Sequence, residues 1–143
     1  ARLNARAKTY RYRIWNSEGP CVFARRFVAV MPEKLDLEAM RMAAGLLLGE
    51  HDVSAFCGNA KMKKSTVREL YAIDISRQGE EIRIRFTGNG FLYNMVRILT
   101  GTLIEVGRKQ RSPEDIPALF GAKREEAGFL APAQGLCLEE VVY

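Results

Sequence analysis

Residues 88–107 read GNGFLYNMVRILTGTLIEVG, and this stretch predicts the longest helix of the chain. Glycines mark the exit from a preceding strand. Apolar residues then recur at steps of three and four, which places them on one face of a helix. The residues of that face are Phe91, Met95, Ile98, Leu99, Thr102 and Val106. The rest of the chain must therefore provide a surface against which this helix packs.

Arg97 is the only charged residue between Gly88 and Thr102. Arginine is rarely buried unless it is paired, and its planar guanidinium suits a carboxylate or a phosphate. Arg97 therefore faces solvent, forms a structural salt bridge, or holds an active-site acid in its ionised form. The residues alone leave these alternatives open.

Strands are predicted on both sides of this helix. Residues 8–16 alternate, with Tyr10, Tyr12 and Ile14 on one face. Residues 66–76 and 81–87 are predicted to pair through a turn at residues 78–80. The first of these two strands is predicted to carry on one face Val67, Tyr71, Ile73 and Ile75. Residues 21–30 and 135–143 read as further extended segments.

Two shorter helices complete the predicted fold. Asp36 is a suitable N-cap for a helix that ends near Gly49, whose apolar face is Leu37, Met40, Ala44, Leu47 and Leu48. The run Ser112-Pro113-Glu114-Asp115 is typical of a second helix start. Residues 50–65 show no regular pattern. Together these elements predict an α+β fold, an antiparallel sheet with helices packed on one face.

Composition limits the classes of protein to which the chain can belong. Its 143 residues, 48% hydrophobic and 27% charged, suit one globular domain. Its longest apolar run falls well short of the roughly 18 residues of a membrane helix. Three scattered cysteines and a single histidine make a metal site improbable and fit a reducing cytoplasm. We therefore expect a cytoplasmic protein with no membrane segment and no bound metal.

Basic residues cluster in two places, although the net charge is only +5. The first cluster precedes any acidic residue and comprises Arg2, Arg6, Lys8, Arg11 and Arg13. The second comprises Lys61, Lys63, Lys64 and Arg68. Such clusters favour an anionic partner, of which nucleic acid is the commonest. The alternative is that they only keep the surface solvated.

Two further residues are candidates for a site. Tyr10 lies among arginines on its strand, and an aromatic ring in that setting can stack on a base. Leu136 follows a glycine at the start of the last strand, where the backbone often approaches another segment closely. Placement in the core is the commoner role for both residue types, so both alternatives stay open here.

Several of these stretches, in this order, resemble the C-terminal half of the tRNA pseudouridine synthase A family. The resemblance covers essentially the whole chain. The matching stretches are ARAKTYRY (5–12), LGEHD (48–52), GFLYNMVR (90–97), GTL (101–103) with VG (106–107), RSPED (111–115) and APAQGL (131–136).

The resemblance implies an enzyme that converts uridine to pseudouridine in the anticodon stem–loop of tRNA, at positions thirty-eight to forty. A catalytic aspartate attacks the nucleotide, the glycosidic bond breaks, and the base turns and rejoins through carbon. No metal or small-molecule cofactor is implied. The partners implied are tRNA and a second copy of the protein in a homodimer. The uridine must be flipped out of the stack to react.

Three residues correspond to the family's site residues. Tyr10 corresponds to the tyrosine that stacks on the flipped base, and Arg97 to the arginine that pairs with the catalytic aspartate. Leu136 corresponds to the apolar residue that lines the base pocket. Lys8 and Arg11 flank Tyr10 and are predicted to bind the substrate with it.

The family's nucleophile lies in a GRTDAGVH-like motif of the N-terminal half, and no such motif occurs here. The four aspartates Asp36, Asp52, Asp74 and Asp115 fall in other contexts. Residues 1–143 are therefore predicted to be a single C-terminal domain without the domain that carries the catalytic aspartate, and to be inactive alone. The alternative is a non-catalytic RNA-binding or dimerisation module of the same fold.

Overall fold

The computed structural model describes residues 7–16, 29–31, 34–58, 66–92 and 94–142. Within these residues, six strands form one sheet. The strands are β1 (Ala7–Trp15), β2 (Ala29–Val30), β3 (Gly49–Asp52), β4 (Val67–Gln78), β5 (Glu81–Gly88) and β6 (Leu136–Val142). The helices are α1 (Leu37–Leu47) and α2 (Met95–Gly107), with short 3₁₀ helices between the later elements.

Strand β1 lies inside the sheet and organises it. Strand β5 pairs with one edge of β1 along its length, and β4 and β3 follow outward from β5. The other edge of β1 is shared, because β6 pairs with residues 7–12 and β2 with residues 14–15. All pairings are antiparallel except the two-residue pairing of β1 with β2. The predicted α+β fold is therefore confirmed.

The predicted inward faces of β1 and β5 are confirmed. Tyr12 and Ile14 of β1 are buried, and so are the inward residues of β5, namely Ile82, Ile84 and Phe86. Helix α1 packs against β4 and α2, and its N-terminus is capped as predicted, since Asp36 Oδ1 accepts from Ala39 N at 3.1 Å. Of the second basic cluster, only Arg68 lies within the described residues.

The predicted face of β4 is wrong in its first half. Leu70 is 1% exposed, whereas Tyr71 is 46% exposed and Val67 also faces solvent. The cause is a β-bulge, because the pairing with β5 shifts register between Leu70 and Ala72. An extra residue at this point reverses the side to which every earlier side chain points.

Two other local predictions need correction. Residues 49–52 form the edge strand β3, which was missed because a short polar edge strand lacks an apolar alternation. Leu48 was predicted to lie on the buried face of α1, yet it follows the last helical residue and is partly exposed. The second predicted helix start leads into a 3₁₀ helix, Pro113–Leu119, with the expected capping box at Ser112.

Helix α2 begins later than predicted and is buried on more sides. It starts at Met95, so Phe91 precedes it. Every residue from Met95 to Gly107 is buried except Arg97 and Glu105. The prediction of one buried face was too narrow because a second layer covers α2. This layer is the crossing segment, residues 128–136, which we name for its path over the helix.

The crossing segment touches α2 backbone to backbone. A Cβ atom added to Gly101 would lie 1.8 Å from the carbonyl oxygen of Phe129, and one added to Gly128 would lie 2.5 Å from Thr102 Cα. Hydrogen bonds fix the approach, because Gly128 N donates to Thr102 Oγ1 at 2.9 Å and Ala131 N to the Arg97 carbonyl at 3.2 Å. No side chain larger than hydrogen fits between the two backbones at these points.

This contact makes Gly101 a sensitive position. Replacing Gly101 with alanine forces two backbones apart, so we expect the free energy of unfolding to fall by roughly 2 kcal/mol, the usual cost of overpacking. Gly45, in the middle of α1, provides the matched control because an added Cβ meets nothing within 4 Å. Gly45→Ala should raise stability by about 0.5–1 kcal/mol through helix propensity.

Urea denaturation followed by circular dichroism measures the free energy of unfolding of both variants. If Gly101→Ala proves as stable as Gly45→Ala, the two backbones do not pack this closely.

Candidate active site

Arg97 is half-buried where the crossing segment passes the first turns of α2. Its Nε donates to the carbonyl of Ala131 at 2.7 Å, and its Nη1 lies 3.5 Å from Asn94 Oδ1. Among the described residues, no carboxylate lies within salt-bridge distance of Arg97. Arg97 is therefore anchored by a backbone carbonyl rather than by an acid within the described part of the chain.

This anchoring leaves part of the guanidinium available. Arginine has five N–H donors, and the strong bond to Ala131 uses only the one on Nε. The two Nη atoms together can donate side by side to both oxygens of a carboxylate. Arg97 thus has the geometry to receive an acid that approaches from outside the described residues.

Tyr12 connects the crossing segment to β1. Its hydroxyl donates to the carbonyl of Pro132 at 2.6 Å, and its ring is completely buried. A Cβ added to Gly135 would lie 2.9 Å from Tyr12 Cζ, so this glycine permits the segment to rest on the ring. Leu136, the next residue, pairs with Tyr12 across β1 and β6 and is partly buried against the core. Tyr12 therefore contacts the crossing segment and also pairs with Leu136 in the sheet.

Burial and charge act on the Tyr12 phenol in opposite directions. Burial raises the pKa of Tyr12 well above its ordinary value, and the positive charge of Arg97 lowers it by less. The hydrogen bonds explain why Arg97 acts on Tyr12, because the two side chains donate to the adjacent carbonyls of Ala131 and Pro132. The two residues thus belong to one electrostatic environment.

Tyr10 lies two residues before Tyr12 and on the same face of β1. Its ring meets Phe91 edge to face, with centroids 5.0 Å apart and planes at 85°. Its neighbour on β6 is Leu138, which is exposed. Phe91 belongs to the stretch that leads into α2, so the contact joins Tyr10 to the start of the helix that carries Arg97. Tyr10, Arg97 and Leu136 are therefore linked through Phe91, Tyr12 and the crossing segment.

The two flanking basic residues are placed differently. Lys8 lies on the Tyr10 side of β1 by strand alternation and is partly exposed. Arg11 points to the opposite face, where its Nη1 lies 3.5 Å from Glu139 Oε1. Glu139 also accepts from Arg85 on β5. The structure therefore does not bring Arg11 together with Tyr10. Tyr93, which precedes α2 in the sequence, lies outside the described residues.

Three of the four aspartates have structural partners. Asp36 caps α1, and its bond from Ala39 N is the main cause that lowers its pKa. Asp52 accepts from the Thr66 hydroxyl at 2.7 Å, which lowers the pKa of its carboxyl. Asp115 accepts from Ser112 N at 3.0 Å in the capping box. These three carboxylates are thus engaged in turns and caps away from Arg97.

Sequence reasoning missed several groups that hold this site. The Ala131 carbonyl carries no sequence signal, because backbone acceptors look alike in any sequence. Asn94 adopts a left-handed φ of 59°, which asparagine tolerates better than most residues. Its position just before a helix was a usable signal. Within the described residues, no group of three histidine, cysteine or acidic side chains could hold a metal, and no helix is long and apolar enough to cross a membrane.

The hydroxyl of Tyr12 provides a test of this arrangement. Tyr12→Phe keeps the ring but removes the donor to Pro132, so we expect the free energy of unfolding to fall by about 1 kcal/mol at pH 7. Tyr10→Phe is the matched control, because Tyr10 lies on the same face of β1 and its hydroxyl has no hydrogen-bond partner among the described residues. Urea denaturation should show a clearly smaller loss for the control. Equal losses would mean that the Tyr12 hydroxyl does not hold the crossing segment.

Tyr12→Phe also tests how the contribution of Tyr12 to stability depends on pH. Because the pKa of Tyr12 is raised in the fold, the folded state keeps a proton that the unfolded state releases above about pH 10. Its contribution to stability is therefore complete at neutral pH and falls as the pH rises beyond that value. The stability difference between wild type and Tyr12→Phe should shrink from pH 7 to pH 11. A difference that does not change with pH would contradict the burial of this phenol.

Comparison with known proteins identifies the family. A family model described as tRNA pseudouridine synthase matches residues 43–143. Curated relatives named tRNA pseudouridine synthase A align with the whole chain, at 47% identity in Syntrophotalea carbinolica and 44% in Geobacillus kaustophilus. A relative from Bacillus anthracis, named tRNA pseudouridine synthase A 2, is also 44% identical over the whole chain.

The chain spans only part of these relatives. It covers 57%, 56% and 59% of their respective lengths. The family match includes α2, the crossing segment and β6, and so includes Arg97 and Leu136. Strand β1 with Tyr10 lies within the alignments to the relatives, which extend over the whole of this chain. The chain therefore belongs to the tRNA pseudouridine synthase family.

Proposed function

We propose that this chain is the C-terminal domain of an enzyme that isomerises uridine to pseudouridine in tRNA. In this proposal Tyr10, Arg97 and Leu136 form one side of the active site. The nucleophilic aspartate comes from another domain of a longer protein. The observation that carries the proposal is the half-buried Arg97, anchored by Ala131 and without a carboxylate partner among the described residues.

Arg97 would act on the incoming aspartate in two ways. A guanidinium beside a carboxylate favours its ionised form, which is the form that attacks the nucleotide. Because Nε is fixed to Ala131, the remaining donors hold the carboxylate in one orientation. The glycosidic C–N bond then breaks, the base turns, and a C–C bond forms as the aspartate is released. The linking carbon loses its proton and the freed ring nitrogen gains one, so the product is an isomer of the substrate. This sequence has no redox change and needs no cofactor.

Tyr10 and Leu136 would hold the base during this exchange. The target uridine must leave the stack of its stem, which costs a few kcal/mol. Stacking on an aromatic ring offsets this cost by roughly 1–3 kcal/mol per base. The edge-to-face contact with Phe91 holds the Tyr10 ring in position for such stacking. Leu136 provides an apolar wall beside Tyr12, and Lys8 lies on the same face to meet phosphate. The proposed targets are uridines thirty-eight to forty of the anticodon stem–loop.

The biological setting belongs to the same proposal. A tRNA-modifying enzyme works where tRNA is used, so we place the protein in the cytoplasm. We propose that it acts as a homodimer. The substrate is tRNA, and the isolated chain is inactive because it lacks the nucleophile.

Tritium release from tRNA labelled at uracil C5 tests whether catalysis requires the longer protein. The longer protein should release tritium, whereas residues 1–143 alone should release none above background. Turnover by the isolated chain would show that one of its own carboxylates is the nucleophile.

Replacing Arg97 distinguishes between two hypotheses, an enzyme and a non-catalytic module. In the longer protein, Arg97→Ala should lower kcat by roughly a hundredfold or more, because the nucleophile loses its orientation. Binding of tRNA should be largely retained. Arg97→Lys should restore little activity, since lysine lacks the planar fork. Arg83→Ala is the matched control, because Arg83 pairs with Glu81 on the outer sheet face.

Thermal melts should show that these variants fold. Unchanged turnover in Arg97→Ala would contradict the active-site role of Arg97 and favour an RNA-binding or dimerisation module instead.

A further inference from the structure

A large basic cavity lies at the end of α2 that is remote from Arg97. Its volume is about 730 Å³, and it opens between the start of α1 and the residues that follow α2. The basic side chains that line it are Lys34, Arg41, Arg77, Arg108 and Lys109. They come from three separate parts of the chain, residues 34–41, Arg77 and residues 108–109, so the fold brings them together here.

The cavity has a positive net charge. Among its described lining residues only Asp36 and Glu38 are acidic, and each already has a basic partner. Asp36 Oδ2 lies 3.3 Å from Lys109 Nζ, and Glu38 pairs with Arg41. Arg77 donates to the neutral side chain of Asn16 at 2.8 Å, and no carboxylate pairs with it among the described residues. Lys34 is exposed. Basic residues thus outnumber acidic ones by three in the described lining.

The basic side chains of the cavity, and not the N-terminus of α1, would attract an anion. Asp36 already caps that helix by accepting from Ala39 N, so a carboxylate occupies the place where an anion would meet the first amides. The apolar part of the wall comes from Leu35, Leu37 and Gly107. This combination suits a phosphate ester, because the basic side chains can bind the phosphate while the sugar packs against the apolar wall.

The position of the cavity relative to Arg97 is set by α2. Arg97 and Arg108 are eleven residues apart along the helix and the turn that follows it. At 1.5 Å per residue this corresponds to roughly 16 Å. A cavity at that distance lies beyond the reach of the reacting nucleotide but within the length of a folded RNA stem.

We propose that this cavity binds phosphates of the RNA backbone, at a distance from the uridine that reacts. The inference rests on the proposed function, since it takes tRNA as the substrate. A cavity of this volume is larger than one phosphate ion requires, and cations from three segments suit several phosphates in succession. The cavity positions the stem while the site at the other end of α2 holds the flipped base.

Binding of tRNA to the longer protein tests this inference. In the double variant Lys34→Gln/Arg77→Gln, we expect Kd to rise about tenfold at 100 mM salt, and the slope of log K against log salt to fall by about one to two. At saturating tRNA, kcat should stay unchanged. The control Arg85→Gln/Lys123→Gln removes the same charge from exposed side chains outside the cavity and should bind nearly as wild type does.

Each other outcome has a definite meaning. If the double variant binds tRNA with the affinity and salt slope of the control, the cavity does not contact RNA. If tRNA binding is unchanged but adenosine monophosphate, titrated by calorimetry, binds wild type and not the variant, the cavity holds a free nucleotide and the backbone assignment is overturned. If wild type releases no tritium while its tRNA binding still depends on Lys34 and Arg77, the proposed function fails and the cavity inference stands.

Discussion

The close approach of two backbones at Gly101 is the constraint on which the rest of the structure depends. Because α2 has only hydrogen at this position, the crossing segment can lie directly on the helix. That contact brings the Ala131 carbonyl to Arg97 and the Pro132 carbonyl to Tyr12. The chain then enters β6 beside β1, which sets Leu136 against Tyr12. A side chain at Gly101 would displace each of these groups together.

Arg97 is placed at some energetic cost. Partial burial removes water from the guanidinium, and a neutral carbonyl compensates less than a carboxylate would. Several arginines elsewhere on the sheet have glutamates beside them, as Arg85 has Glu139 and Arg13 has Glu81. Arg13 and Arg111 are also half-buried, and each has a glutamate partner. Arg97 has no acid partner among the described residues, which is consistent with a partner supplied from elsewhere. Local violations of this kind are typical of functional sites.

Much of the fold could be predicted because it follows from short-range patterns. Alternation identified β1 and β5, a cap identified α1, and spacing identified α2. The bulge at Leu70–Ala72 could not be predicted, since an inserted residue reverses the strand's faces without changing its composition. The all-round burial of α2 depends on a segment about thirty residues later in the chain. In the site, Arg97 could be recognised as an isolated charge. Its hydrogen-bond acceptor could not be predicted, because it is a backbone carbonyl and the side chain of Ala131 gives no indication of it.

The central claim is that Arg97, anchored on the crossing segment, pairs with an aspartate from another domain. A crystal structure of the longer protein tests it most directly. We expect both Nη atoms of Arg97 to lie about 3 Å from the two oxygens of one aspartate. Nε should still donate to Ala131, and Tyr10 and Leu136 should face the same cleft. An Arg97 side chain that points to solvent, or pairs with an acid remote from Tyr10, would contradict the account.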